Sequence, residues 1–226
     1  MLSFEDLASA KDAPVALDHV FFVALALLSP LVDRVWLYPR FVRATQAGNP
    51  GARSRFYLSG ILTLWGLAAC ALALWVARHR SWSTLRLGSG TPLRLGVGLA
   101  LAGLLVALLR SQRRAILSRP AAIERVRGLF GTAGPLLPRT PSELRRFAWL
   151  SITAGVCEET LFRGYLTWYV SSWTGLVAAV PIVSVLFGFA HIYLGRAHVL
   201  RTSLFGAVLA AIVLASGSLW PAMIVH

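Results

Sequence analysis

The sequence predicts an all-α fold, a polytopic integral membrane bundle of six to seven transmembrane helices. Three observations carry that prediction. Hydrophobic residues make up 57% of the 226 positions and mean hydropathy is +0.67. Apolar runs reach the roughly 20 residues that a bilayer crossing needs. Charged residues gather mostly between these runs rather than within them. The N-terminus lacks the basic segment and small-residue cleavage site of a secretory signal, so the first apolar run is expected to stay as an anchor. With no internal repeat and no low-complexity tail, residues 1–226 are expected to form a single membrane domain.

The expected spans lie near 15–33, 57–77, 93–109, 144–170, 174–192 and 199–216. A seventh begins near Leu219 after a Gly-Ser-Leu-Trp-Pro turn and reaches only His226, which predicts a truncated last helix. Between the third and fourth spans, Pro120 is expected to open a short interfacial helix. Ile123, Val126 and Phe130 would share one face against Arg125 and Arg127. A Gly- and Pro-rich turn, 131–138, follows. The fourth span then starts with Thr140-Pro141-Ser142-Glu143, which combines a capping residue, a proline at the first helical position and a glutamate at the third, the pattern of a capping box. The helices and basic loop over 1–139 therefore precede a C-terminal core over 140–226.

The net charge of +13 comes from 21 arginines and the single Lys11. In a soluble chain that excess would suggest nucleic acid, but no basic motif interleaved with aromatics and no nucleic-acid-binding module is present. Five arginines lie in 34–55, nine in 110–146 and four in 78–94. The expectation is that the long basic loops face the cytoplasm, the N-terminus lies outside, and the arginines meet lipid headgroups. Cys70 and Cys157 are isolated, so neither a thiol-redox pair nor a zinc knuckle is expected, and both read as packed thiols.

Chemistry concentrates in Glu158 and Glu159, which fall deep inside an apolar span with Arg163 four residues on. A charge at the centre of a membrane helix costs roughly 2.5–3.5 kcal/mol, so two carboxylates there call for a function. Residues four apart stack on one helix face, whereas neighbours diverge by about 100°. Glu159 can therefore pair with Arg163 and leave Glu158 free to take a proton; alternatively, both carboxylates lock neighbouring helices together. Among the histidines, His19 beside Asp18, His79 between Arg78 and Arg80, and His198 read as interfacial or packing residues. His191 ends the apolar run Phe187-Gly188-Phe189-Ala190-His191, and His226 follows Trp220-Pro221-Ala222-Met223-Ile224-Val225. A carboxylate base with two imidazoles in a lipid-shielded setting suits hydrolysis of an acyl bond. There is no HExxH helix, no GxSG-type serine and no pair of aspartates in separate spans. Glutamate with two histidines could hold zinc, but the spacing does not specify a metal, and no cofactor is expected to be required.

Glu158-Glu159-Thr160-Leu161-Phe162-Arg163 resembles the EExxxR motif of the CPBP (Abi) family of intramembrane proteases, which includes the type II CAAX prenyl endopeptidases. Gly164 fits the same motif. Phe187 to His191 is similar to the family's FxxxH motif, and Leu219 to His226 resembles the approach to a third, which begins with histidine and ends four residues later in a polar residue. The sequence stops at His226, so this core is expected to be incomplete. The resemblance covers 140–226, with spacings of 33 and 35 residues between Glu158, His191 and His226. It implies that Glu158 is the general base, that His191 positions the water and that His226 contributes to an oxyanion site, with Glu159, Arg163 and Phe187 in support. It further implies a glutamate-dependent reaction with zinc not favoured.

The implied function is an intramembrane endopeptidase acting on a membrane-anchored protein or peptide. The candidate substrates are a C-terminal anchor or sorting tail, a CAAX-type tail and a peptide precursor. The preference for arginine over lysine, with abundant Ala, Leu and Gly, suggests a high-GC bacterial genome and hence the bacterial inner membrane. The alternative is a non-catalytic scaffold or bacteriocin immunity protein that uses the same buried polar residues for helix packing.

Overall fold

The computed structural model describes residues 13–88, 91–119, 121, 125, 128 and 130–226. The expected interfacial helix from Pro120, with Ile123, Val126 and Arg127, falls largely outside the described residues. Seven helices are considered below: α1 (Ala16–Gln46), α2 (Ala52–Ala77), α3 (Pro92–Leu117), α4 (141–174), α5 (Leu176–Ala190), α6 (Arg196–Ser216) and α7 (Trp220–Val225). Short 3₁₀ turns occupy Gly131–Leu136 and Ile192–Leu194, and no strand occurs among the described residues. The molecule is thus an all-helical membrane bundle.

Four helices, α1, α2, α3 and α6, are long and apolar enough to cross a membrane. The remaining predicted spans differ from that pattern. α4 carries Glu143, Arg145, Arg146, Glu158, Glu159 and Arg163 and is not among the four, α5 is apolar but has 15 residues, and α7 has six. Large apolar side chains such as Leu62, Val177 and Leu204 point outward, as lipid-facing helices require.

The first helix runs well past the predicted end near residue 33, because hydropathy marks the bilayer and not the helix. Arg34, Arg40 and Arg43 continue it to Gln46. Pro30 and Pro39 do not break it. A proline ring clashes with the carbonyl four residues earlier, here Ala26 and Val35, and each lies in a π-helical stretch, Ala24–Leu28 and Asp33–Leu37, where the wider turn relieves the clash.

α4 packs along α2, its C-terminal part packs on α5, and α6 lies against α5 and α3. One core layer, around Trp75, Leu161, Tyr165, Leu166, Trp168 and Phe187, joins α2, α4 and α5. A second, with Ala102, Leu209, Val213, Leu219 and Ala222, seats α7 between α3 and α6. The 131–136 turn folds back on the bundle: Arg53 Nε donates to Pro135 O at 2.9 Å and Tyr57 Oη to Leu136 O at 2.6 Å.

Asp18 and Arg80 are buried, whereas His19 beside them is exposed. Asp18 is 0% and Arg80 3% exposed. The guanidinium donates to both carboxylate oxygens of Asp18, at 2.9 and 2.5 Å. Tyr165 Oη on α4 donates to the same carboxylate at 2.5 Å, and the Val15 amide does so at 2.7 Å. Arg80 also lies over the Trp168 ring, its Cζ 4.2 Å from the ring centroid and so in cation–π range. His19 Nδ1 meets Tyr169 Oη at 2.7 Å. The bidentate pairing makes these charges tolerable inside the bundle, although Arg80 Nε is buried without a partner among the described residues, and the cluster ties the start of α1 and the loop after α2 to α4. Cys157 is buried as expected, whereas Cys70 is exposed.

Candidate active site

α4 begins as its first residues specify. Thr140 Oγ1 accepts the Glu143 amide at 3.2 Å with Pro141 at the first helical position. The glutamate half of the box shifts by one residue, since Glu143 Oε2 accepts the Arg139 amide at 2.8 Å instead of the Thr140 amide. The helix stays α-helical to Glu158 and widens into a π-helical stretch over Glu159–Leu166, every residue of which is buried. Thr167 Oγ1 closes this stretch by donating to Phe162 O, five residues back, at 2.9 Å. Such π stretches recur at functional sites.

Glu159 and Arg163 form the ion pair that their spacing suggests. Arg163 Nη1 donates to Glu159 Oε1 at 2.9 Å, with both side chains almost fully buried. Arg163 Nη2 donates to Gly206 O on α6 at 3.1 Å, and the guanidinium sits 4.0 Å from the Phe187 ring centre. A side chain at position 206 would collide with this arrangement, because its Cβ would lie 3.0 Å from both Arg163 Nη2 and Phe187 Cδ1.

The two histidines approach from other helices. His191 caps the C-terminal end of α5, and its Nδ1 lies 2.9 Å from Phe187 O in the preceding turn. A carbonyl can only accept, so Nδ1 carries the proton and Nε2 remains available. His226 follows α7. Its Nδ1 is 2.7 Å from Glu159 Oε1 and its Nε2 is 3.5 Å from Glu158 Oε2. Gly155 permits this approach, since a Cβ there would stand 3.1 Å from Met223 O and 3.7 Å from His226 Cβ. Phe187 touches both imidazoles edge to face, with centroids 5.1 Å from His191 and 5.8 Å from His226.

Glu158, His191 and His226 thus line one cavity of about 450 Å³. Glu158 Oε2 and Glu159 Oε2 are buried without a hydrogen-bond partner among the described residues. For Glu158 the 3.5 Å approach of His226 is too long for direct hydrogen bonding and is a charge contact only. No group of three or more His, Cys, Asp or Glu side chains arranged to hold a metal occurs among the described residues. α1 adds wall residues that the motif reading missed: Asp33 and Tyr38 line the same cavity, as does Tyr193 beside His191. The available signal was Asp33, a lone carboxylate at the end of an apolar run.

Residues 140–226 match the family model described as Type II CAAX prenyl endopeptidase Rce1-like. No curated protein and no solved structure matches the chain. The matched stretch is less than half of the chain and holds α4 to α7 with both glutamates, Arg163, Phe187 and both histidines, so it is this C-terminal part that is similar to the type II CAAX prenyl endopeptidases.

Proposed function

We propose that the protein is an intramembrane endopeptidase in which Glu158 activates the attacking water. The observation that carries this reading is the difference between two adjacent carboxylates. Glu159 is held by Arg163 and His226, whereas Glu158 lines the cavity and makes no hydrogen bond among the described residues. A carboxylate of the second kind is free to accept a proton.

Water between Glu158 and the His191 imidazole gives its proton to Glu158 while its oxygen bonds to the scissile carbonyl carbon. His191 Nε2, free because Nδ1 is engaged with Phe187 O, accepts the second water hydrogen and aims the lone pair. The carbonyl oxygen becomes an oxyanion, and the C–N bond then breaks as Glu158 returns its proton to the leaving amine. His226 is held through Nδ1 by Glu159, which leaves Nε2 as its cavity-facing nitrogen. With a proton on Nε2 as well, His226 donates to the oxyanion while Glu159 balances its charge through Nδ1. Arg163 and Phe187 position this pair without touching substrate.

The apolar cavity and the membrane bundle suit a substrate anchored in the bilayer. A C-terminal anchor or sorting tail, a CAAX-type tail and a peptide precursor all fit, with the bacterial inner membrane as the setting and no required cofactor. The test is a mass-spectrometric map of membrane-protein termini in cells with wild-type protein or Glu158→Gln at matched levels. Untrimmed termini appearing only in the variant support the protease. Identical maps with an unchanged cellular phenotype would instead make the Glu159–Arg163–Gly206 link a packing device of a non-catalytic scaffold or immunity protein.

A further inference from the structure

We infer that Asp33 makes this site selective for a peptide bearing a basic side chain, arginine or lysine, beside the scissile bond; the inference rests on the protease reading above. Asp33 lies on α1, outside the segment that matches the family, yet it lines the same cavity as Glu158, His191 and His226. It is within electrostatic reach of His191, and no hydrogen bond or ion pair engages its carboxylate among the described residues. Its neighbour Arg34 turns away to donate to Ile192 O at 3.0 Å.

Charge sets the occupant. The chain carries 22 basic residues against nine acidic ones, but among the described residues no arginine or lysine lines the cavity, and its acidic walls are Asp33 and Glu158 beside the two histidines. The rest of the wall is apolar or weakly polar, with Leu37, Phe56, Leu64, Phe147, Leu150 and Phe162 prominent. An apolar chain with one cationic side chain matches that surface. An acidic side chain would meet the carboxylates of Asp33 and Glu158 at low dielectric.

The placement of Asp33 is fixed by the fold. Arg34 holds α1 to the turn after His191, Tyr38 Oη donates to Thr132 O, and Thr132 Oγ1 donates to Leu194 O in the same turn. α1, the 131–136 turn and the 192–194 turn are thus hydrogen-bonded to one another. The carboxylate faces the cavity from the wall that α1 supplies, while Glu158 faces it from α4. A basic side chain satisfied by Asp33 sets the register of the peptide and so the bond presented to Glu158.

The test uses the full chain in phosphatidylcholine nanodiscs with three palmitoylated alanine-rich pentapeptides that carry arginine, leucine or glutamate at the central position. Binding is measured by fluorescence anisotropy and cleavage by mass spectrometry. Both wild type and Glu158→Gln are expected to bind the arginine peptide about tenfold or more tightly than the leucine peptide, and the glutamate peptide most weakly. Asp33→Asn is expected to reduce the arginine-to-leucine ratio to below about twofold, and Asp33→Glu to retain most of it. Equal ratios in wild type and Asp33→Asn overturn the inference, even if all three peptides are cleaved. Asp33-dependent binding without cleavage of any peptide leaves the recognition role standing and counts against the protease.

Discussion

His226 and Arg163 share one oxygen: Glu159 Oε1 lies 2.7 Å from His226 Nδ1 and 2.9 Å from Arg163 Nη1. Through that atom, α7 and α6 are tied to α4, since Arg163 also holds Gly206 O. Glu159 is the hub of the packing, and its neighbour Glu158 is the carboxylate proposed above to activate water.

Glu158→Gln is expected to reduce cleavage by about 10²–10⁴-fold, the range for loss of a general base. Glutamine keeps the shape but cannot take the proton, so helicity and the unfolding midpoint in detergent should stay close to wild type. Single-turnover cleavage of a substrate found by terminus mapping checks the first expectation, and circular dichroism the second.

Arg163→Met should act on stability first. It strands the buried Glu159 carboxylate with only His226 for company, a loss of about 3–5 kcal/mol for breaking a buried pair. Denaturant titration in mixed micelles measures it, and the double variant Glu159→Gln/Arg163→Met should recover part of the loss because no buried charge is then left alone.

Gly206→Ala probes the same link by sterics. The new methyl group would stand 3.0 Å from both Arg163 Nη2 and Phe187 Cδ1. Overpacking of this kind costs about 1–3 kcal/mol, and because Phe187 contacts both histidines, the cleavage rate per folded molecule should fall as well. A stability loss at unchanged rate would uncouple Phe187 from the histidines.

Asp18→Asn separates scaffold from site. Arg80 would lose its bidentate partner in an interior where it is 3% exposed, so the variant should be destabilised by about 3–5 kcal/mol. Its surviving folded fraction should cleave at close to the wild-type rate, because none of the proposed catalytic groups belongs to this cluster. Thermal inactivation followed by activity per folded molecule distinguishes the two effects.

Much of this was legible in the residues. The apolar runs announced a helical membrane bundle, Thr140 to Glu143 announced the start of α4, and the spacing of Glu159 and Arg163 announced their pairing. These features are local: hydropathy, capping and four-residue periodicity depend on neighbours in sequence. Helix length was less legible, since the arginines after residue 33 end the apolar run but not α1.

The tertiary structure decided which charges are buried together. Asp18 and Arg80 are 62 positions apart and nothing in the sequence pairs them, yet they are partners, because burial of one ion is tolerable only when a distant counter-ion arrives with it. It also decided that His226 faces both glutamates and that Asp33 on the first helix forms a wall of their cavity. Sequence supplies the chemistry of each side chain and its face on a helix; only the crossing of helices, set by close contacts such as those at Gly155 and Gly206, determines which faces meet.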